Sequence, residues 1–105
     1  MGLFSILRFG NGALKDALRK GAVVIDVRTA AEFDRGHVTG ALHIPVDRVA
    51  TFAERIKSMN RPVIFCCDTG ERSSRARQDL LSKGMKQDVY NGGSWQRVSQ
   101  LLQSL

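Results

Sequence analysis

The stretch PVIFCCDTGERSSRARQDLLSKG, residues 62–84, joins a strand pattern, a short polar loop and a helix pattern. Its start, PVIFC (62–66), is an apolar run that predicts a strand buried on both faces, with Pro62 acceptable at the first position. The segment SSRARQDLLSKG (73–84) predicts a helix with a polar start and a stop at Gly84. A buried strand followed closely by a helix favours an α/β fold.

The same alternation continues on both sides of this stretch. Strands are predicted at 22–27, 41–45, 62–66 and 87–91, and helical segments at 13–21, 46–59, 73–84 and from Trp95 onward, with a helical turn and two glycines within 29–40. This order predicts a small three-layer α/β domain with a mostly parallel sheet of four or five strands and helices on both faces. We expect the 105 residues, 1–105, to form one domain whose core runs from about residue 13.

Composition is that of an ordinary globular protein, with 43% apolar and 25% charged residues. The formal charge of +6 either keeps the protein soluble or steers anions and acidic partners to its surface. The basic residues are scattered, so no nucleic-acid partner is expected. The apolar start, Leu3 to Phe9, is too short for a membrane span and lacks signal-peptide features, which predicts a cytoplasmic protein. Whether this start docks on the domain or on a partner stays open.

The two cysteines, Cys66 and Cys67, are adjacent in the chain. Neighbouring cysteines cannot build a disulfide framework, so we expect reduced thiols. The histidines His37 and His43 lie far upstream and no second cysteine pair exists, so no zinc-binding pattern is present.

The loop between strand 62–66 and helix 73–84 has the layout of an anion cradle. The backbone amides of the loop and the N-terminus of the helix can converge on one point. A cysteine thiolate at the start of the loop would be stabilised there, so the pKa of that cysteine should fall. Gly70 allows the backbone to fold back closely, and Arg72 adds a positive charge. Counted from Cys67 this arrangement suggests sulfur chemistry, whereas counted from Cys66 the spacing C-x5-R suggests phosphate chemistry.

Two longer segments resemble the rhodanese family: VVIDVRTAAEFDRGHVTGALHIP (23–45) and CDTGERS (67–73). The matching residues are Asp26, Arg28, Glu32–Phe33, Gly36–His37, Gly40–Ala41, Ile44–Pro45, Cys67, Gly70, Arg72 and Ser73. The later GMKQDVYNGGSW (84–95) resembles the closing segment of that family, although Trp95 follows the glycine pair more closely than in most members. The resemblance covers about residue 13 to the C-terminus.

The resemblance implies a sulfurtransferase whose nucleophile is Cys67. Glycine three positions and arginine five positions after Cys67 correspond to the six-residue loop of sulfurtransferases, whereas related phosphatases and arsenate reductases have a loop one residue longer. Cys67 would take sulfur from thiosulfate or a protein persulfide, become a persulfide, and pass the sulfur to cyanide or a thiol. No metal or organic cofactor is implied. The implied cradle residues are Asp68, Thr69, Gly70, Glu71 and Arg72.

Three residues are expected to support the loop: Asp26, Arg28 and Ser73. We expect Asp26 to orient the loop and Arg28 to pair with Glu32 four residues on, with substrate binding as the alternative for both. Arg72 either holds the anionic donor or pins the loop to a carboxylate.

Several points remain open. Cys66 is expected to be a packed core thiol, with a role as resolving thiol as the alternative. The loop acids Asp68 and Glu71 should oppose a dianion, which makes thiosulfate a poor donor and favours a donor of low charge. Two other functions remain: a phosphatase or arsenate reductase, and a catalytically quiet module that presents the cysteine to a partner.

Overall fold

A computed structural model describes residues 9–105 of the chain. The strands are β1 (Val23–Asp26), β2 (Leu42–His43), β3 (Val63–Cys67) and β4 (Val89–Ser94). The helices are α1 (Asn11–Arg19), α2 (Ala30–Asp34), α3 (Ala53–Ser58), α4 (Glu71–Leu81) and α5 (Trp95–Gln103), and a 3-10 turn spans Val46–Arg48. Apart from Phe9, the open question about the apolar start falls outside the described residues.

The four strands form one parallel sheet in the order β2-β1-β3-β4. Helices α3 and α4 contribute Ile56 and Leu80 to the buried cluster on one face of the sheet. Helices α1 and α5 contribute Leu14 and Val98 to the cluster on the other face. The predicted three-layer α/β fold is therefore confirmed.

Side chains of the central strands alternate between these two clusters. Phe65 and Cys67 of β3 belong to the α3–α4 face, whereas Ile64 and Cys66 belong to the α1–α5 face. This alternation follows from the two-residue period of a strand. Both faces of β3 are covered by helices, which is why its sequence is apolar without interruption. Adjacent cysteines in this strand consequently have opposite environments.

Element boundaries differ from the sequence prediction near the loop. Strand β3 runs one residue further, to Cys67, and α4 begins at Glu71, two residues before the predicted start. Gly70 has a left-handed φ of 98° and turns the chain into α4 within three residues of the strand end. The segment 46–59 forms the 3-10 turn and the short α3 and not one continuous helix. Within residues 9–105, no helix has the length and apolar character needed to cross a membrane.

Candidate active site

The cysteine loop lies at the carboxyl end of β3 and at the N-terminus of α4. The backbone N–H of Gly70 donates a hydrogen bond to the Sγ of Cys67 at 3.1 Å. Gly70 is the residue that caps α4, so the sulfur sits where the free N–H groups and the positive end of the helix dipole point. The Cys67 sulfur therefore lies beside a backbone donor at the N-terminus of α4.

Cys67 itself is covered in this structure. Its exposed fraction is 1%, although Asp68, Thr69 and Glu71 beside it are exposed. The sulfur thus lies beneath a polar loop and above the apolar cluster that includes Ala76 of α4.

Cys66 lies on the opposite face of β3. It is fully buried in the α1–α5 cluster. Burial, followed by the nearby charge of Asp26, raises the pKa of the Cys66 thiol well above its ordinary value. The prediction of a packed core thiol is confirmed, and a protonated thiol in this position is a poor nucleophile.

Arg72 joins the loop to the start of α2. Its Nη1 and Nη2 donate to the two carboxylate oxygens of Glu32 at 2.8 and 3.1 Å, and Nη2 also reaches Asp68 at 3.3 Å. The Arg72 guanidinium is the main reason why the pKa of Glu32 lies well below its usual range, helped by hydrogen bonds from Thr29. Of the two roles considered for Arg72, the structure shows the pinning of the loop to a carboxylate.

Arg28 has a different partner from the one the sequence suggested. Its Nε and Nη2 bond the Asp26 carboxylate, the shorter contact being 2.7 Å, and Nη2 also donates to the Gly36 carbonyl oxygen at 2.7 Å. The expected Arg28–Glu32 pair is wrong, because Glu32 already bonds Thr29 in a capping box and Arg72 across the site. The hydrogen bond with Asp26 raises the pKa of Arg28, so the buried guanidinium stays charged.

Asp26 and Arg28 hold the segment around Gly36, which lies beside the loop, and they do not hold the loop directly. Every side-chain hydrogen bond of Asp26 in the described chain goes to Arg28. The guanidinium of Arg28 lies 5.1 Å from the centre of the Trp95 ring, and that ring closes over Gly36, where an added Cβ would lie 3.0 Å from the ring. The support that these two residues give to the loop is therefore indirect.

Asn91 holds the loop directly, and the sequence analysis did not identify it. Its Nδ2 donates to the Gly70 carbonyl oxygen at 2.9 Å, and its Oδ1 accepts from the Gly93 N–H at 2.9 Å. The side chain is 1% exposed. Asn91 thus holds the carbonyl oxygen of Gly70, while the N–H of Gly70 faces the Cys67 sulfur. The available signal was a polar side chain at the end of the predicted strand 87–91, directly before the glycine pair.

Ser73, the third supporting residue of the prediction, lies in the first turn of α4 and is fully buried. Across residues 9–105, its Oγ is the buried side-chain oxygen that has no hydrogen-bond partner. Any support that Ser73 gives the loop is therefore by packing and not through its hydroxyl.

Metal ligands are not grouped at this site. Within the described residues 9–105, no three His, Cys, Asp or Glu side chains come together in a way that could hold a metal ion.

Comparison with known proteins agrees with the fold. The family model for the rhodanese-like domain matches residues 11–100. The thiosulfate sulfurtransferase GlpE of Pseudomonas fluorescens (strain SBW25) is 41% identical over 76 residues, which cover 71% of this chain and 68% of the relative.

Solved structures give the same result. A rhodanese from E. coli, solved with anions, superposes with a TM-score of 0.66 at 29% identity, covering 73% of this chain and 91% of that one. The human single-domain sulfurtransferase TSTD1 superposes with a TM-score of 0.65 at 25% identity, covering 86% and 92%.

The fold and the cysteine loop thus define a rhodanese-type α/β domain. The chain belongs to the rhodanese-like domain family. This membership supports sulfur transfer as the general activity, with a sulfur donor and a sulfur acceptor as its partners.

Proposed function

We propose that this protein transfers sulfane sulfur through a persulfide on Cys67. The observation that carries the proposal is the Gly70 N–H donated to Sγ at 3.1 Å, at the N-terminus of an 11-residue helix. Such preorganised donors stabilise the thiolate before reaction and the persulfide after it. The amides of residues 68–72 form the cradle, and Arg72 and Asn91 hold it in place.

The reaction is a double displacement. The Cys67 thiolate attacks the outer sulfur of thiosulfate, the new Sγ–S bond forms as the S–S bond of the donor breaks, and sulfite leaves with the electron pair. A protein persulfide reacts in the same way and releases its own thiolate. Attack by cyanide or a thiol on the outer sulfur then regenerates the Cys67 thiolate. No external oxidant, reductant or cofactor enters either step.

The charges around the loop favour a donor of low negative charge. Arg72 is already paired with Glu32 and with Asp68, so its charge is compensated before a substrate arrives. Asp68 and Glu71 are exposed on the loop and add negative charge beside the sulfur. A dianion such as thiosulfate is therefore disfavoured relative to a persulfide carried by a protein or a small thiol.

The C-x5-R alternative places the nucleophile at Cys66. That thiol is buried on the other face of β3, and its pKa is raised by burial. The observations therefore support Cys67, and we do not propose a phosphatase or arsenate reductase.

The test is sulfur loading of the reduced protein, followed by intact mass. Thiosulfate and a cysteine persulfide are offered in parallel to the wild type and to the Cys67→Ser and Cys66→Ser variants. We expect one added sulfur that cyanide removes, seen in the wild type and in Cys66→Ser and absent in Cys67→Ser. Loading from the persulfide should exceed loading from thiosulfate. If no donor loads the folded wild type, the remaining reading is a binding module that presents the cysteine to a partner.

A further inference from the structure

The first turn of α4 contains a hydrogen-bond donor without an acceptor. Ser73 has no exposed surface, and within residues 9–105 its Oγ makes no hydrogen bond. Serine hydroxyls in helices usually bond the carbonyl oxygen four residues earlier, which here belongs to Thr69, but this bond is not formed. Keeping a buried hydroxyl without a partner costs free energy, so such a group calls for an explanation.

The position of Ser73 in α4 places it on the helix face that packs on the Cys67 side of the sheet. Ala76 and Leu80 lie three and seven residues further on, on the same face of the helix, and both belong to the buried cluster that contains Cys67. Side chains of a helix lean toward its N-terminus. Ser73 therefore leans back over the turn that begins with Gly70, whose N–H donates to the Cys67 sulfur.

The hydroxyl does not bond the Sγ of the reduced cysteine, although Gly70 does. A persulfide carries a second sulfur about 2 Å beyond Sγ. This outer sulfur is the more negative end of the group and would be stabilised by donors at the N-terminus of α4, where the Gly70 N–H already bonds Sγ. It is thus an acceptor that the reduced site lacks.

We propose that the Ser73 hydroxyl is the hydrogen-bond donor for the outer sulfur of the Cys67 persulfide. The inference rests on the proposed function and adds a residue that touches the transferred atom. Because the bond exists only in the sulfur-loaded state, it stabilises the persulfide relative to the free thiolate. Ser73 thereby raises the affinity of the site for sulfane sulfur, a role different from support of the loop.

The relevant equilibrium conserves atoms and charge. The Cys67 thiolate and a cysteine persulfide exchange one sulfur to give the Cys67 persulfide and a cysteine thiolate. One S–S bond forms, one breaks, and no net oxidation occurs. A donor to the outer sulfur on the protein side shifts this equilibrium toward the loaded protein.

The experiment measures the loaded fraction by intact mass in mixtures of cysteine persulfide and cysteine at set ratios. In Ser73→Ala we expect half-loading to need about a tenfold higher ratio than in the wild type, as for loss of a hydrogen bond to a charged acceptor. Ser73→Gly removes the whole side chain together with the hydroxyl and should show the same shift in the ratio at half-loading. Ser82→Ala is the matched control, since Ser82 lies at the other end of α4 and its hydroxyl bonds the Asp79 carbonyl oxygen.

The outcomes separate the two proposals. Half-loading of Ser73→Ala and Ser73→Gly at the wild-type ratio would overturn the role of Ser73 and leave the persulfide function intact. A folded wild type that gains no sulfur at any ratio would overturn both. A shift of the same size in Ser82→Ala would also overturn the role of Ser73, because the effect would then be a general one of changes in α4.

Discussion

Arg72 bonds both carboxylate oxygens of Glu32, at 2.8 and 3.1 Å, although the two residues are 40 positions apart in the chain. One end of this bridge is the cysteine loop, and the other is Glu32, the third residue of α2. Glu32 also accepts hydrogen bonds from the Thr29 backbone N–H and hydroxyl, each at 3.0 Å. The loop is thus fixed to a carboxylate whose own position is set by a capping box.

Replacing Glu32 by Gln should destabilise the fold by roughly 1–2 kcal/mol at neutral pH, because the cap and the bridge to Arg72 both weaken. The pKa of Glu32 is depressed in the folded state. The contribution of Glu32 to the free energy of unfolding is therefore present above the pKa of an unfolded glutamate, about 4.3. It falls as the pH drops toward the pKa of Glu32 in the folded state. Urea unfolding at pH 7 and below pH 4 should show the difference between variant and wild type shrinking in acid.

The control for Glu32 is Glu54→Gln. Glu54 pairs with Lys57 at 3.0 Å, but its side chain is 86% exposed. Such an exposed pair contributes little to stability, so the free energy of unfolding of this variant should stay within about 0.5 kcal/mol of the wild-type value. Equal losses of stability in Glu32→Gln and Glu54→Gln would show that the Glu32–Arg72 bridge stabilises the fold no more than an exposed surface pair.

Asn91→Leu should slow sulfur loading and lower stability by about 1–3 kcal/mol. The Gly70 carbonyl oxygen would lose the Asn91 amide and keep only the Ser74 N–H, and the Gly93 N–H would lose its acceptor. With one of these two hydrogen bonds gone, Gly70 and the N–H that it donates to Cys67 are held less firmly. The rate of persulfide formation, followed by mass at a temperature well below unfolding, tests this. A wild-type rate in a stably folded Asn91→Leu would show that Asn91 does not position Gly70 for reaction.

Glu71→Gln should raise the rate of thiosulfate loading several-fold at low salt, and the gain should fade as salt screens the charge. Asp68 is a less clean choice, since its carboxylate also bonds Arg72 and its loss would loosen the loop. Glu54→Gln again serves as the control, as an exposed acid on another helix. If Glu71→Gln and the control respond alike to thiosulfate and to salt, local charge does not select the donor.

Cys66→Ser should destabilise the protein more than Cys66→Ala does. The serine hydroxyl would be placed in an apolar cluster without a partner, at a cost of about 1–3 kcal/mol, whereas alanine leaves only a small cavity. Both variants should still load sulfur on Cys67. Loss of loading in both folded variants would instead assign Cys66 a direct part in the transfer, as a resolving thiol would have.

Much of this architecture follows from local sequence. Continuous apolar runs such as Val63–Cys67 indicate buried parallel strands, and Gly70 after the cysteines indicates the turn into α4, although the helix was predicted to begin two residues later than it does. The opposite environments of the two cysteines follow from the strand period alone.

The partners of the charged residues did not follow from sequence. A spacing of four residues suggested Arg28 with Glu32, yet Arg28 turns back to Asp26 two positions earlier and Glu32 meets Arg72 across the site. Asn91 lies in β4, and only the tertiary fold brings its side chain to Gly70. The unpartnered Ser73 hydroxyl likewise becomes visible only once α4 is packed on the sheet.

The most direct test of sulfur transfer through Cys67 is intact mass of the reduced protein after exposure to a cysteine persulfide. Our account predicts one added sulfur in the wild type and in Cys66→Ser, none in Cys67→Ser, and its complete removal by cyanide. Loading that persists in Cys67→Ser and disappears in Cys66→Ser would contradict the assignment of the nucleophile.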